Sequence, residues 1–115
     1  MIKLRAFIGL TFVAVMLGIT AIAAQAEKTM SKPAEHTVEI TGFKFIPESL
    51  TVKAGDSITW INRDIAPHTA TANDESFDTG ELKQNESAKI SVTADQTIGY
   101  FCRYHPVMKA KIAFQ

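Results

Sequence analysis

From His36 onward the chain reads as short apolar and polar alternations cut by turn residues, with no run of helical periodicity. Val38 and Ile40 share one face of a first strand near His36–Thr41, with Glu39 on the other, and Gly42 ends it. Phe43, Phe45 and Ile46 continue the apolar pattern until Pro47 breaks it. Leu50 and Val52 lead into an Ala54-Gly55-Asp56 turn, and Ile58–Asn62 is the clearest strand, with Ile58 and Trp60 on one face. Trp60 is expected to anchor the core. Thr69–Thr71 reads as extended and Phe77-Asp78-Thr79-Gly80 as a turn. Ile90 and Val92 alternate with Lys89 and Ser91. Ile98–Cys102 forms a strand, and Ala110, Ile112 and Phe114 share one face of the last. Several short strands with regular turns predict an all-β fold, a sandwich or a barrel.

The first residues follow another pattern. Lys3 and Arg5 precede an apolar run, Ala6–Ala24, and Ala24-Gln25-Ala26 has the small-x-small form of a signal-peptidase site. Residues 1–26 are therefore expected to be a signal peptide, 27–35 a flexible polar lead-in, and 36–115 a single domain. The alternative is an uncleaved membrane anchor, because the run exceeds the usual signal core of about 7–15 residues. No cysteine stands directly after the cleavage site and no twin-arginine pair precedes the run. Export of an unfolded chain to the periplasm, with any metal loaded afterwards, is the expectation.

Charge excludes one class of function. Twelve basic residues face twelve acidic ones, so there is no basic footprint for nucleic acid. The single cysteine is more informative. In an exported protein it cannot close an internal disulfide, which leaves an intermolecular bond, reactivity or a metal. Cys102 opens the motif Cys-x2-His-x2-Met, with His105 and Met108 at three-residue intervals after a strand end. Thiolate and thioether suit soft metals and imidazole suits copper or zinc, but a methionine ligand argues against zinc. Two His, one Cys and a weak axial Met is the donor set of a copper electron-transfer site. The loop supplies three of the four, and Pro67-His68-Thr69 is the candidate source of the fourth. Taken singly, each residue has a plainer reading as core filler or surface polar group. It is their combination that points to copper. His36 has no second ligand beside it and reads as a surface residue. A thiol enzyme with Cys102 as nucleophile would leave His68 and Met108 without a role, in a chain of short strands with little room for a cleft. The chain is accordingly not expected to be an enzyme.

These residues resemble the cupredoxins, most closely their amicyanin-like branch. The resemblance covers Phe45-Ile46-Pro47, Val52–Asp56, Ile58–Asn62, Pro67-His68, Phe77–Gly80 and Cys102–Met108, nearly all of the chain past the leader. It implies a Greek-key β-sandwich holding one type 1 copper near one end. His68, Cys102 and His105 would be equatorial ligands, Met108 the axial one, and the His105 ring would reach the surface. It also implies a monomer serving redox protein partners, of which a dehydrogenase and a c-type cytochrome are the classes to expect. Three departures stand out. Thr69 replaces the Asn that ties the ligand loops together in such relatives, Arg103-Tyr104 replaces Thr-Pro, and Ala110 stands where many have Gly. A hydroxyl at 69 can make some of the missing hydrogen bonds. A copper carrier or buffer is the alternative function, but no Met-rich or His-rich tract supports it.

Overall fold

The computed structural model describes residues 32–115; the expected leader, residues 1–26, lies outside them. Eight strands run in order: β1 Glu35–Thr41, β2 Lys44–Ile46, β3 Ser49–Val52, β4 Ser57–Asn62, β5 Thr71–Ala72, β6 Ser87–Ser91, β7 Ile98–Phe101 and β8 Lys109–Phe114. They form two four-stranded sheets, ordered β2-β1-β4-β6 and β3-β8-β7-β5. Pairing is mixed. β1 runs parallel to β4 and β3 parallel to β8, while the other pairs are antiparallel. The all-β fold expected from the alternation is present, as the sandwich of the two alternatives and not the barrel, and no helix occurs among the described residues.

The alternation buries what it should. Val38, Ile40, Ile58 and Trp60 face inward from one sheet, and Ile98, Tyr100, Ala110 and Ile112 from the other. Trp60, fully buried, stacks on Phe77 at 5.1 Å between ring centroids and meets Tyr100 edge-on at 5.6 Å. Phe45 closes the cluster, 4.8 Å from the Tyr100 ring. Offset and edge-on aromatic pairs of this kind add about 0.5–1.5 kcal/mol each beyond simple burial. Burial also pushes the Tyr100 phenol up to about 12.

Three local readings are refined. β1 begins at Glu35, one residue before the expected start. Phe43 is not part of a strand: it sits in a left-handed turn (φ 59°), half exposed, directly after Gly42 at φ 60°. Extended structure falls at Thr71–Ala72, which pairs with Phe101 and Tyr100 of β7, and Thr69 lies outside the strand.

His36 is also more than a surface residue. It is half-buried, with Nε2 2.9 Å from Asp56 Oδ2. Asp56, buried in the turn before β4, further accepts the N–H groups of Ala34 (2.9 Å) and Lys53 (3.0 Å). One carboxylate thus fastens the start of β1 to the turn that feeds β4, at the end of β1 farthest from Gly42. The bond to His36, then that from Lys53, outweighs desolvation and holds the Asp56 carboxyl down to about 2.

A folded-state value below the ordinary one means that Asp56 stabilises the fold above about pH 4. That contribution disappears as pH falls toward 2. Acid unfolding followed by circular dichroism is expected to steepen in this window for the parent and to flatten there for Asp56→Asn. Superimposable acid profiles would contradict the assignment.

Candidate metal centre

β4 and β7 both stop at the same end of the sandwich, and the loops that leave them bring the predicted residues together. The Nδ1 atoms of His68 and His105 stand 3.7 and 3.8 Å from Cys102 Sγ, and all three donor atoms lie within 4.8 Å of one another. Donors each about 2.0–2.3 Å from one ion would be separated by about 3.5–3.8 Å, so the spacing fits a shared metal. Cys102 and His68 are completely buried, and His105 is half-buried.

The second loop is shaped by its own backbone. His105 N–H donates to the Cys102 carbonyl (3.2 Å), Met108 N–H to the His105 carbonyl (2.8 Å), and Cys102 N–H back to the Met108 carbonyl (3.1 Å). Spacings of three residues make this closure possible, and they leave Met108 buried at the loop's end.

The first loop is held by side chains. Asn62, fully buried, donates from Nδ2 to the carbonyls of Ala66 and Leu82 (2.8 Å each) and accepts the Asp64 N–H at 2.9 Å. Asp64 then gathers three donors: Gly42 N–H at 2.7 Å, Phe43 N–H at 2.9 Å and His68 Nε2 at 2.8 Å. Burial works to raise the Asp64 carboxyl, but the bonds from Phe43, Gly42 and His68 outweigh it and keep it below its ordinary value. A carboxylate only accepts, so His68 carries its proton on Nε2 and turns a bare Nδ1 toward the sulfur. This is the usual way an outer carboxylate orients a ligating imidazole. The Phe43 ring, set by the same turn, lies edge-on to His68 (5.1 Å) and to His105 (4.9 Å).

The sequence alone does not mark Asp64 or Phe43 as part of the site. The available signal was an acidic residue four positions before a candidate ligand histidine, and it lacked a visible partner. Thr69 does make a bond across the loops: its hydroxyl accepts the Arg103 N–H at 2.9 Å, while its own N–H points at Cys102 Sγ, 3.4 Å away.

A family model described as a cupredoxin-like domain matches residues 9–113. The chain belongs to this family. Amicyanin-alpha of Methylorubrum extorquens is 29% identical, over 92% of this chain and 98% of that protein. Amicyanin of Paracoccus denitrificans is also 29% identical, over 68% of this chain and 63% of its own. Among solved structures, a reduced amicyanin variant superposes with a TM-score of 0.64 at 29% identity, covering 70% of this chain and 82% of its own. The copper-containing nitrite reductase of Thermus scotoductus superposes with a TM-score of 0.66 at 27% identity, but the match spans only 23% of that enzyme's chain. The cofactor of this cupredoxin is copper, and the donor chemistry at its sandwich end suits that metal.

If Asp64 orients His68, Asp64→Ala should weaken copper binding by about 10–100-fold, the usual cost of losing an outer-shell partner. Competition with a chelator measures it. An unchanged affinity would show that the carboxylate does not position the imidazole.

Proposed function

We propose that the chain is a type 1 copper protein that carries single electrons between exported redox proteins in the periplasm, cycling between Cu(I) and Cu(II). The observation that carries this reading is the convergence of His68, Cys102 and His105 on one point at the sandwich end. We assign these three, with the buried Met108, as the residues that would hold the copper. Residues 1–26 are read as a signal peptide, and the lead-in expected over 27–35 gives way to the copper domain at Glu35, where β1 starts. Among the described residues, no helix is long and apolar enough to cross a membrane.

Copper, when bound, supplies the one-electron couple. The chain's part is to fix the donors and exclude water. Cys102 binds as thiolate, and its complete burial keeps solvent from the sulfur. His68 is locked by Asp64, so its ring does not turn when charge changes beside it. Rigid donors lower the rearrangement that each transfer would otherwise require. His105, the half-buried ligand, is the exit toward a partner.

An apolar surface surrounds that exit. Val107 is 89% and Ile65 86% exposed, and Phe43, half exposed, lies between Val107 on one side and Ile65-Ala66 on the other. A small apolar contact without strong ion pairs fits a brief electron-transfer encounter. Lys109 is exposed beside it. Arg103, by contrast, turns its guanidinium onto Asp78 at 2.8 Å, so its charge is offset within the chain. Copper delivery, the competing reading, needs donors that an acceptor can reach. The burial of His68 and Cys102 argues against it.

Met108→Gln is expected to keep copper and to lower the reduction potential, because an oxygen donor in place of the soft thioether favours Cu(II). Redox titration of the copper-loaded protein measures it, and an unchanged potential would remove Met108 from the ligand set. Loss of Cu(I) to a modest chelator should be slow; rapid loss would favour delivery over electron transfer.

A further inference from the structure

Beside the metal centre, two threonines, a carboxylate and an arginine close a ring of hydrogen bonds. Asp78 Oδ1 accepts the Thr71 hydroxyl at 3.1 Å and the Gly80 N–H at 2.8 Å. Its Oδ2 accepts the Arg103 guanidinium through Nε at 3.0 Å and Nη2 at 2.8 Å. A carboxylate only accepts, so Thr71 gives its one hydroxyl hydrogen to Asp78 and turns its lone pairs toward Thr69. The Thr69 hydroxyl therefore donates to Thr71 over 3.0 Å, which leaves its own oxygen free to accept the Arg103 backbone N–H at 2.9 Å.

The direction of each hydroxyl thus follows from the negative charge at one end. Thr69 and Thr71 are 1% and 2% exposed, so water does not compete for these bonds. Chains of this kind strengthen one another in a low-dielectric interior. Burial pushes the Asp78 carboxyl up, yet the bonds from Gly80, Arg103 and Thr71 together hold it below its ordinary value.

The ring adjoins the sulfur through one hydrogen bond and one step of the chain. Arg103 follows Cys102 directly in the chain, and the Thr69 N–H points at Cys102 Sγ. Anchoring the hairpin after His68 does not account for it. That hairpin is already tied by Thr79 N–H to the Ala70 carbonyl (3.0 Å) and by Ala70 N–H to the Thr79 hydroxyl (2.9 Å).

We propose that Thr71 and Asp78 are positioning residues of the redox centre: through the oriented hydroxyls they hold the Thr69 N–H on the Cys102 sulfur, and so govern how much charge the thiolate gives to copper. The proposal rests on the copper reading above. Neither residue touches the metal. Their effect is on the sulfur's hydrogen bond, one of the levers on the potential of such a site.

Thr71→Val keeps the shape and every charge but breaks the relay, and Thr71→Ser restores the hydroxyl. In the metal-free protein, amide exchange at Thr69 and Arg103 should quicken about five- to tenfold in Thr71→Val, the worth of one net hydrogen bond, and return to parent rates in Thr71→Ser. In the copper-loaded protein, Thr71→Val should lower the reduction potential and shift the thiolate-to-copper band, because a sulfur with less hydrogen bonding donates more charge. Thr71→Ser should match the parent. Unchanged exchange, or an unchanged potential and band, in Thr71→Val overturns the proposal. So does a potential shift in Asp78→Asn with none in Thr71→Val, which would reduce the effect to the Asp78 charge. Thr71→Ala takes the place of Thr71→Val should the latter fail to fold. A parent protein that develops no thiolate–copper band overturns the copper reading instead, while amide exchange in the metal-free protein still decides whether Thr71 holds Thr69 and Arg103.

Discussion

The contact on which the site most depends is that of the Asp64 carboxylate with His68 Nε2, at 2.8 Å in a setting closed to water on the imidazole side. It fixes the tautomer and so decides which nitrogen faces the sulfur. The same carboxylate accepts two backbone N–H groups from the Gly42–Phe43 turn. Those bonds favour a left-handed backbone at Phe43, a conformation costly for a bulky side chain unless neighbours hold it. In consequence the loop that presents His68 and the turn that presents the Phe43 ring behave as one body. Any loosening of Asp64 is felt at His68 and at the apolar surface together.

The second half of the centre is built differently. Cys102, His105 and Met108 are tied by three backbone bonds within a single short loop, and that loop is held to the first by the Thr69 and Arg103 contacts. The sandwich contributes the rigid ends. Trp60 and Tyr100, interlocked across the two sheets, lie near the ends of β4 and β7, from which the two loops spring. Sites on rigid elements keep their geometry better than sites on free loops, and here short loops inherit that rigidity.

Much of this was readable in advance because the information is local. A sole cysteine with His and Met at fixed short intervals is a statement about one loop, and inward alternation in β1, β4 and β8 is a statement about single strands. What could not be read depends on partners distant in sequence. Asp64 meets Gly42 22 positions away, His36 meets Asp56 20 positions away, and Asp78 meets Arg103 25 positions away. Phe43 alternates with Phe45 as a strand residue would, but the bonds from the Gly42 and Phe43 N–H groups to Asp64 hold it in a turn instead. Thr69 was noted as a departure from related sequences. That its hydroxyl would be oriented by Thr71 and a carboxylate nine positions on follows only from the folded geometry.

The central claim, that Cys102 and the two histidines bind one copper as a redox centre, is tested most directly by visible and EPR spectra of the purified protein with added Cu(II). An intense thiolate charge-transfer band with narrow copper hyperfine splitting is the expected result. A colourless protein, or a tetragonal Cu(II) signal with wide splitting, would mean that Cys102 is not a ligand, and would contradict the account.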